Sequence, residues 1–158
     1  MSTDRFPLKE HNHSQCVTEA IHRASALCTQ QSLRFTPIRK KVLELIWAEH
    51  APVSAYALLE GLRQTRNNAQ APTIYRALDF LLQHGLAHKI ESLNAYVGCA
   101  QPEHRHPGQF LICLSCQQIV ELDDMEISSV ITKQAIHNHF MITKQMIELN
   151  GYCLRCKP

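Results

Sequence analysis

Along the first half of this chain the apolar residues fall three and four apart, the spacing of helices that lie on a core. In residues 14–31 they are Val17, Ala20, Ile21, Ala24, Leu27 and Cys28. Thr36 followed by Pro37 has the form of a helix start, a capping hydroxyl and then a proline at the first helical position. The face behind it is Ile38, Val42, Leu45 and Ile46. Pro52-Val53-Ser54 breaks the pattern and caps a third helix with Leu58, Leu59 and Leu62 inward. Ala71-Pro72-Thr73 opens a fourth, with Ile74, Ala77, Leu78, Leu81 and Leu82 inward, Phe80 to the side and Gly85 as its stop. The spacing then shortens. Residues 86–91 and 95–99 read as two strands about a turn at Ser92-Leu93-Asn94. Several helices followed by a hairpin is the order of a winged helix, in which the helix before the hairpin enters the major groove of DNA.

The second half is organised differently. Residues 100–108, AQPEHRHPG, carry two prolines and a glycine and read as a hinge. Beyond it, residues 110–114 and 118–122 read as strands. Asp123 and Asp124 cap a helix with Ile127, Val130, Ile131 and Ala135 on one face, and residues 140–149 read as a further strand. The expected fold class is therefore α+β. A winged-helix DNA-binding domain is expected over residues 1–99, with a loose arm over 1–12, and a small zinc-stabilised α/β dimerisation domain over residues 109–158.

Composition narrows the function classes. An apolar fraction of 45% over 158 residues fits a globular chain. No stretch has the roughly 18 apolar residues of a membrane span, and the first residues lack a signal-peptide pattern. A cytoplasmic protein without a membrane partner is expected. The net charge of +2 is uneven: residues 1–100 carry 11 Lys/Arg against 8 Asp/Glu, and residues 101–158 carry 5 against 6. The basic excess lies with the helices, where Arg39, Lys40 and Lys41 crowd a first turn that could meet phosphate.

Seven cysteines in such a compartment point to metal rather than disulfides. Four of them form Cys113-x2-Cys116-x36-Cys153-x2-Cys156, the ligand set of a structural zinc that clips the end of a module to its start. Cys16 and Cys28 read more plainly as small core residues. A second site follows from strand pairing. A two-residue turn at Leu93-Asn94 sets His88 opposite Cys99, with Cβ atoms about 4.5–5.5 Å apart. Further donors are needed, and His104, His106 and Glu121 lie just downstream. Histidine, thiolate and carboxylate together suit zinc, whereas iron(II) or manganese(II) would be met by histidine and carboxylate without thiolate.

The run Pro72-Thr73-Ile74-Tyr75-Arg76-Ala77-Leu78, Phe35-Thr36-Pro37-x-Arg39, the paired C-x-x-C motifs and the order of elements resemble the ferric uptake regulator family over most of residues 14–156. The stretch YRALDFLLQHGLAHKIESLNAYVGC is similar to its zinc-uptake branch. The resemblance implies a homodimeric repressor whose zinc-loaded form binds palindromic, double-stranded operator DNA and represses zinc-uptake genes, with no small organic substrate. It implies two zinc ions per chain. One is structural, on Cys113, Cys116, Cys153 and Cys156. The other is regulatory, on His88, Cys99, His106 and Glu121, with His106 chosen over His104 by its step from the first C-x-x-C. It also implies DNA contacts from Tyr56 and Arg76, with Tyr75 nearby; Thr73 and Arg39 complete the expected set. Three positions depart from the family. Gly108 and Phe110 stand where many members have His-x-His, and Lys144 stands for a later histidine, so a third metal site is not expected. Gln117 replaces a frequent glycine after the second cysteine, which predicts an altered turn there. The alternatives are an iron or manganese sensor, or a zinc hydrolase with Glu121 as its base; metal-dependent binding to palindromic DNA separates the leading reading from a hydrolase.

Overall fold

Thr36 and Ser54 set the frame of the amino-terminal half. In the computed structural model, which describes residues 13–49 and 51–157, each closes the free end of a helix. The Thr36 hydroxyl accepts from the Arg39 N–H at 3.4 Å and the Ser54 hydroxyl from the Ala57 N–H at 3.1 Å. The arm expected over residues 1–12 lies outside the described residues. Four helices follow in order: α1 (His13–Gln30), α2 (Pro37–Trp47), α3 (Ala55–Arg63) and α4 (Ala71–Gln83). Their inward faces make one core of Ile21, Ala24, Leu27, Val42, Leu43, Ile46, Leu58, Leu62, Ile74, Leu78 and Leu81 with their neighbours. Cys28 is buried within it, as its apolar spacing predicts. Gly85 ends α4 at φ +66°, a conformation that glycine adopts without steric cost. Phe80 turns out to be buried, and the Arg39 guanidinium lies 3.6 Å above its ring.

The wing contains more than a hairpin. β1 (Val53–Ser54) joins β2 (Ala87–Ile90) and β3 (Ala95–Gly98) in a sheet of order β1-β3-β2. Two residues are too few for a sequence pattern, so β1 was not expected. The hairpin register also differs from the expectation: His88 pairs with Val97, not with Cys99. The turn is four residues long, a 3-10 turn at Glu91–Leu93 and then Asn94 at φ +45°. Two extra turn residues slide the register by two. Side chains alternate with a period of two, so His88 and Cys99 still share a face as diagonal neighbours.

The second sheet has the order β5-β4-β6, with β4 (Gly108–Cys113) antiparallel to β5 (Ile119–Glu121) and parallel to β6 (Met146–Gly151). The strand expected over 140–149 begins only at Met146. The apolar residues before it, Phe140 and Met141, are 66% and 81% exposed, so their hydrophobicity marks a surface and not a strand. α5 (Met125–His137) is capped by Asp124, which accepts from the N–H groups of Glu126 and Ile127. None of its residues is buried, and Val130 and Ile136 stand open. The core of this half is small: Ile90 from the wing, Phe110 and Ile112, flanked by Val97, Ile119 and Met146. Among the described residues no helix is long and apolar enough to cross a membrane.

Candidate metal centres

Cys113 ends β4, and Cys153 follows β6, the strand parallel to it. The 36-residue gap is thus the loop that carries β5, α5 and β6 back to their start. All four cysteine sulfurs lie within 4.8 Å of one another. A zinc tetrahedron with Zn–S near 2.3 Å would separate its sulfurs by about 3.8 Å, and Cys116 Sγ and Cys153 Sγ are 4.0 Å apart. The Cys153 N–H points at Cys113 Sγ at 3.5 Å. Backbone N–H groups of Cys116 and Cys153 hold the Cys113 thiol down at about 6, while burial pushes Cys116 up to about 11. Backbone N–H groups thus favour a thiolate within the cluster, which is the form in which a cysteine would bind metal. Gln118 Oε1 accepts from Arg155 Nη2 at 2.7 Å and joins the two knuckles.

Gln117 occupies the turn position where the family often has glycine. It adopts the left-handed conformation itself, at φ +58°, with an exposed side chain. That conformation costs a residue with a Cβ about 1–2 kcal/mol, which glycine's extra chain entropy of about 0.5–1 kcal/mol offsets in part. Gln117→Gly is expected to stabilise the protein by about 0.5–1 kcal/mol, read as a higher denaturant midpoint. An unchanged or lower midpoint would show that the turn is unstrained.

The second cluster gathers His88 from β2, Cys99 just beyond β3, His106 from the linker and Glu121 at the end of β5, again with ligand atoms within 4.8 Å. His106 Nε2 lies 2.7 Å from Glu121 Oε1 and 3.6 Å from Cys99 Sγ. His106 Nδ1 is 3.0 Å from the His104 carbonyl, an acceptor only, so Nδ1 carries the proton and Nε2 offers its lone pair to the cluster. His88 Nε2 is 2.7 Å from the same Oε1 but out of hydrogen-bonding line, a buried nitrogen with no hydrogen bond. Buried polar atoms of this kind call for a partner, and a zinc ion fits a set of two nitrogens, one sulfur and one oxygen. His104 stays outside the cluster, half-exposed, with Nε2 3.1 Å from Asp123 Oδ2.

Burial pushes the Cys99 thiol up to about 12, and the Glu121 carboxylate adds to that. Burial works against ionisation of Glu121 too, but the nearby His88, the Ala100 N–H and His106 together outweigh it and hold the carboxyl below its usual range. Glu121 Oε2 accepts from the Ala100 N–H at 3.0 Å, and the Ala100 carbonyl accepts from Arg23 Nη1 at 2.8 Å. The backbone of Ala100, next to Cys99, is thus held on one side from β5 and on the other from α1. Arg23 gave no signal in the sequence, because its partner lies 77 residues away. Gly98 gave none either. A Cβ there would come within 2.1 Å of Trp47 Nε1, so glycine lets the indole lie against β3 beside the site.

Of the expected DNA contacts, Arg39 lies on α2, Tyr56 on α3 and Thr73, Tyr75 and Arg76 on α4. Tyr56 is 72% exposed and Tyr75 52% exposed, Arg76 is exposed and Thr73 half-buried. The ion pairs among the described residues do not include Arg76, which leaves its guanidinium open to a ligand. Arg39 is half-buried, donates to the Arg34 carbonyl and covers Phe80, so its guanidinium is engaged within the chain.

These features can be set beside known proteins. The zinc uptake regulation protein of Escherichia coli strain K12 is 37% identical over 141 residues, 87% of this chain and 81% of its own length. A zinc uptake regulator solved with zinc and DNA superposes with a TM-score of 0.84 at 35% identity, covering 88% of this chain and 93% of that one. Holo XcZur gives 0.80 at 39% identity over 87% and 96% of the two chains. The apo form of XcZur, at 37% identity over 90% and 98%, gives only 0.53. At nearly equal identity, the chain superposes more closely on the holo form than on the apo form. The model of the ferric uptake regulator family matches residues 30–150, and the chain belongs to that family.

Proposed function

We propose that this protein is a zinc-responsive transcriptional repressor, a homodimer that binds palindromic operator DNA when loaded with zinc and represses zinc-uptake genes in the cytoplasm. The observation that carries the reading is the parentage of the mixed cluster. His88 and Cys99 belong to the wing; His106 and Glu121 belong to the linker and the second sheet. When bound there, zinc supplies a tie between the DNA-reading half and the other half. Its relatives support the choice of metal and of DNA as ligand, and Cys99 favours zinc over iron(II) or manganese(II). A hydrolase reading is disfavoured because Glu121 Oε1 stands 2.7 Å from both imidazole nitrogens, in a ligand's place rather than across an open position.

In this reading Cys113, Cys116, Cys153 and Cys156 hold a structural zinc and His88, Cys99, His106 and Glu121 a regulatory one, two per chain. α5 and the open apolar residues about Phe140 and Met141 supply the dimer surface. α4 lies in the major groove with Arg76 at a base edge and Tyr56, Thr73 and Tyr75 around it. Arg39 helps through Phe80, by holding α2 against α4. Fixing the angle between halves sets the spacing of two recognition helices, so that half-sites about 34–36 Å apart are read together.

The test is a zinc titration of the dimer with a duplex from a zinc-uptake promoter. Binding should appear only with zinc, and Arg76→Ala should cost about 1–3 kcal/mol on the operator and relax preference at one position per half-site. Binding indifferent to zinc would overturn the repressor reading. Equal weakening on operator and random duplex would make Arg76 a phosphate contact.

A further inference from the structure

Glu148 leaves β6 and reaches across to the tip of the wing. The 3-10 turn Glu91–Leu93 begins there, and the first N–H groups of any helical turn lack partners within it. Ile90, at the cap position, offers no side-chain acceptor. Glu148 serves two of these free donors: Oε1 accepts from the Glu91 N–H at 2.7 Å and Oε2 from the Ser92 N–H at 3.1 Å. A carboxylate on two backbone donors makes short, charge-assisted bonds. Lys144, four residues before Glu148, stands 3.0 Å from Glu91 Oε1, and Lys89 stands 2.8 Å from Glu91 Oε2. Beneath these contacts Ile90 is fully buried against Phe110 and Ile112. None of these residues belongs to either metal cluster.

We infer that Glu148 is a positioning residue: a metal-independent latch that caps the wing's turn from the second sheet and sets the zinc concentration at which the protein takes up DNA. The inference rests on the repressor reading. Latch and ligands favour the same closed arrangement, so they add on one two-state equilibrium. A weaker latch leaves more of the closure to zinc. The zinc midpoint then rises, while the affinity of the fully loaded dimer for DNA stays the same. A residue that only stabilised the fold would lower the active fraction and leave the midpoint in place.

Two variants of the full-length dimer test this. Glu148→Gln keeps the shape but sets an amide donor against one of the two N–H groups. Lys144→Ala removes a side chain that is 66% exposed, so folding is not at risk. Operator binding is measured at buffered free zinc, and hydrogen exchange is followed at the Glu91 and Ser92 amides. Glu148→Gln should raise the zinc midpoint by about tenfold, leave saturating affinity unchanged and speed exchange at both amides. Lys144→Ala should shift the midpoint the same way by less. An unmoved midpoint, unchanged protection of the two amides, or a parallel loss of saturating affinity would overturn the latch. Wild-type protein without zinc-dependent DNA binding would instead sink the repressor reading, while amide exchange still reports on the latch.

Discussion

Cys113→Ser should take the second half of the molecule apart. The buried hydrophobic cluster there is Ile90, Phe110 and Ile112, and one of the three is borrowed from the wing. A core of that size does not hold some fifty residues together, and small modules of this kind depend on a staple. In the proposed reading four thiolates on zinc would supply one, worth on the order of 10–16 kcal/mol in isolated zinc-finger peptides at neutral pH. Serine removes the sulfur whose ionisation the backbone N–H groups of Cys116 and Cys153 favour. The expected variant is monomeric, binds less than one zinc per chain and loses helical signal from α5, while α1–α4 keep their own core. Zinc content, light scattering and protease sensitivity beyond residue 108 read this out. A stable dimer that has merely lost one zinc would show that β4, β5 and β6 hold without it, and the structural role of the site would fall.

The features legible in the sequence are those whose chemistry is local. Thr36 before Pro37, Ser54 and Asp124 each cap a helix through a bond to an N–H two or three residues on, and each shows within one turn of sequence. The four-cysteine site is legible because metal-ligand spacing repeats as two C-x-x-C pairs. The mixed cluster is legible only in part. Residue types and face parity bring His88 and Cys99 together, but the register argument fails by two residues, because the turn is widened by a 3-10 segment whose cap, Glu148, comes from 57 residues away. Arg39 beside Lys40 and Lys41 looks like part of a phosphate-binding run; its place over Phe80 depends on how α2 crosses α4, which no single helix pattern contains. The late start of β6 has the same kind of cause. Phe140 and Met141 are apolar for a surface that one chain leaves open.

Cys99→Ser should move the zinc response without touching the dimer. Cys99 is 4% exposed, its Sγ is 3.6 Å from His106 Nε2, and its thiol keeps its proton well past neutrality. Metal binding must expel that proton, and thiolate is the donor that sets this site apart from one for iron(II) or manganese(II). A serine hydroxyl is far harder to ionise and leaves three donors. Even changes in the groups that orient a ligand cost about 10- to 100-fold in metal affinity, so loss of a ligand should raise the free zinc needed for operator binding by about 100-fold or more. The four-cysteine site is untouched, so one zinc per chain, the dimer and the helical signal remain. If Cys99 served only to fill space under the wing, the buried hydroxyl would cost about 1–3 kcal/mol of stability and leave the midpoint where it was. Operator affinity of both proteins at buffered free zinc separates the two outcomes: a lower melting temperature with an unmoved midpoint would remove Cys99 from the ligand set and with it the main local reason to favour zinc.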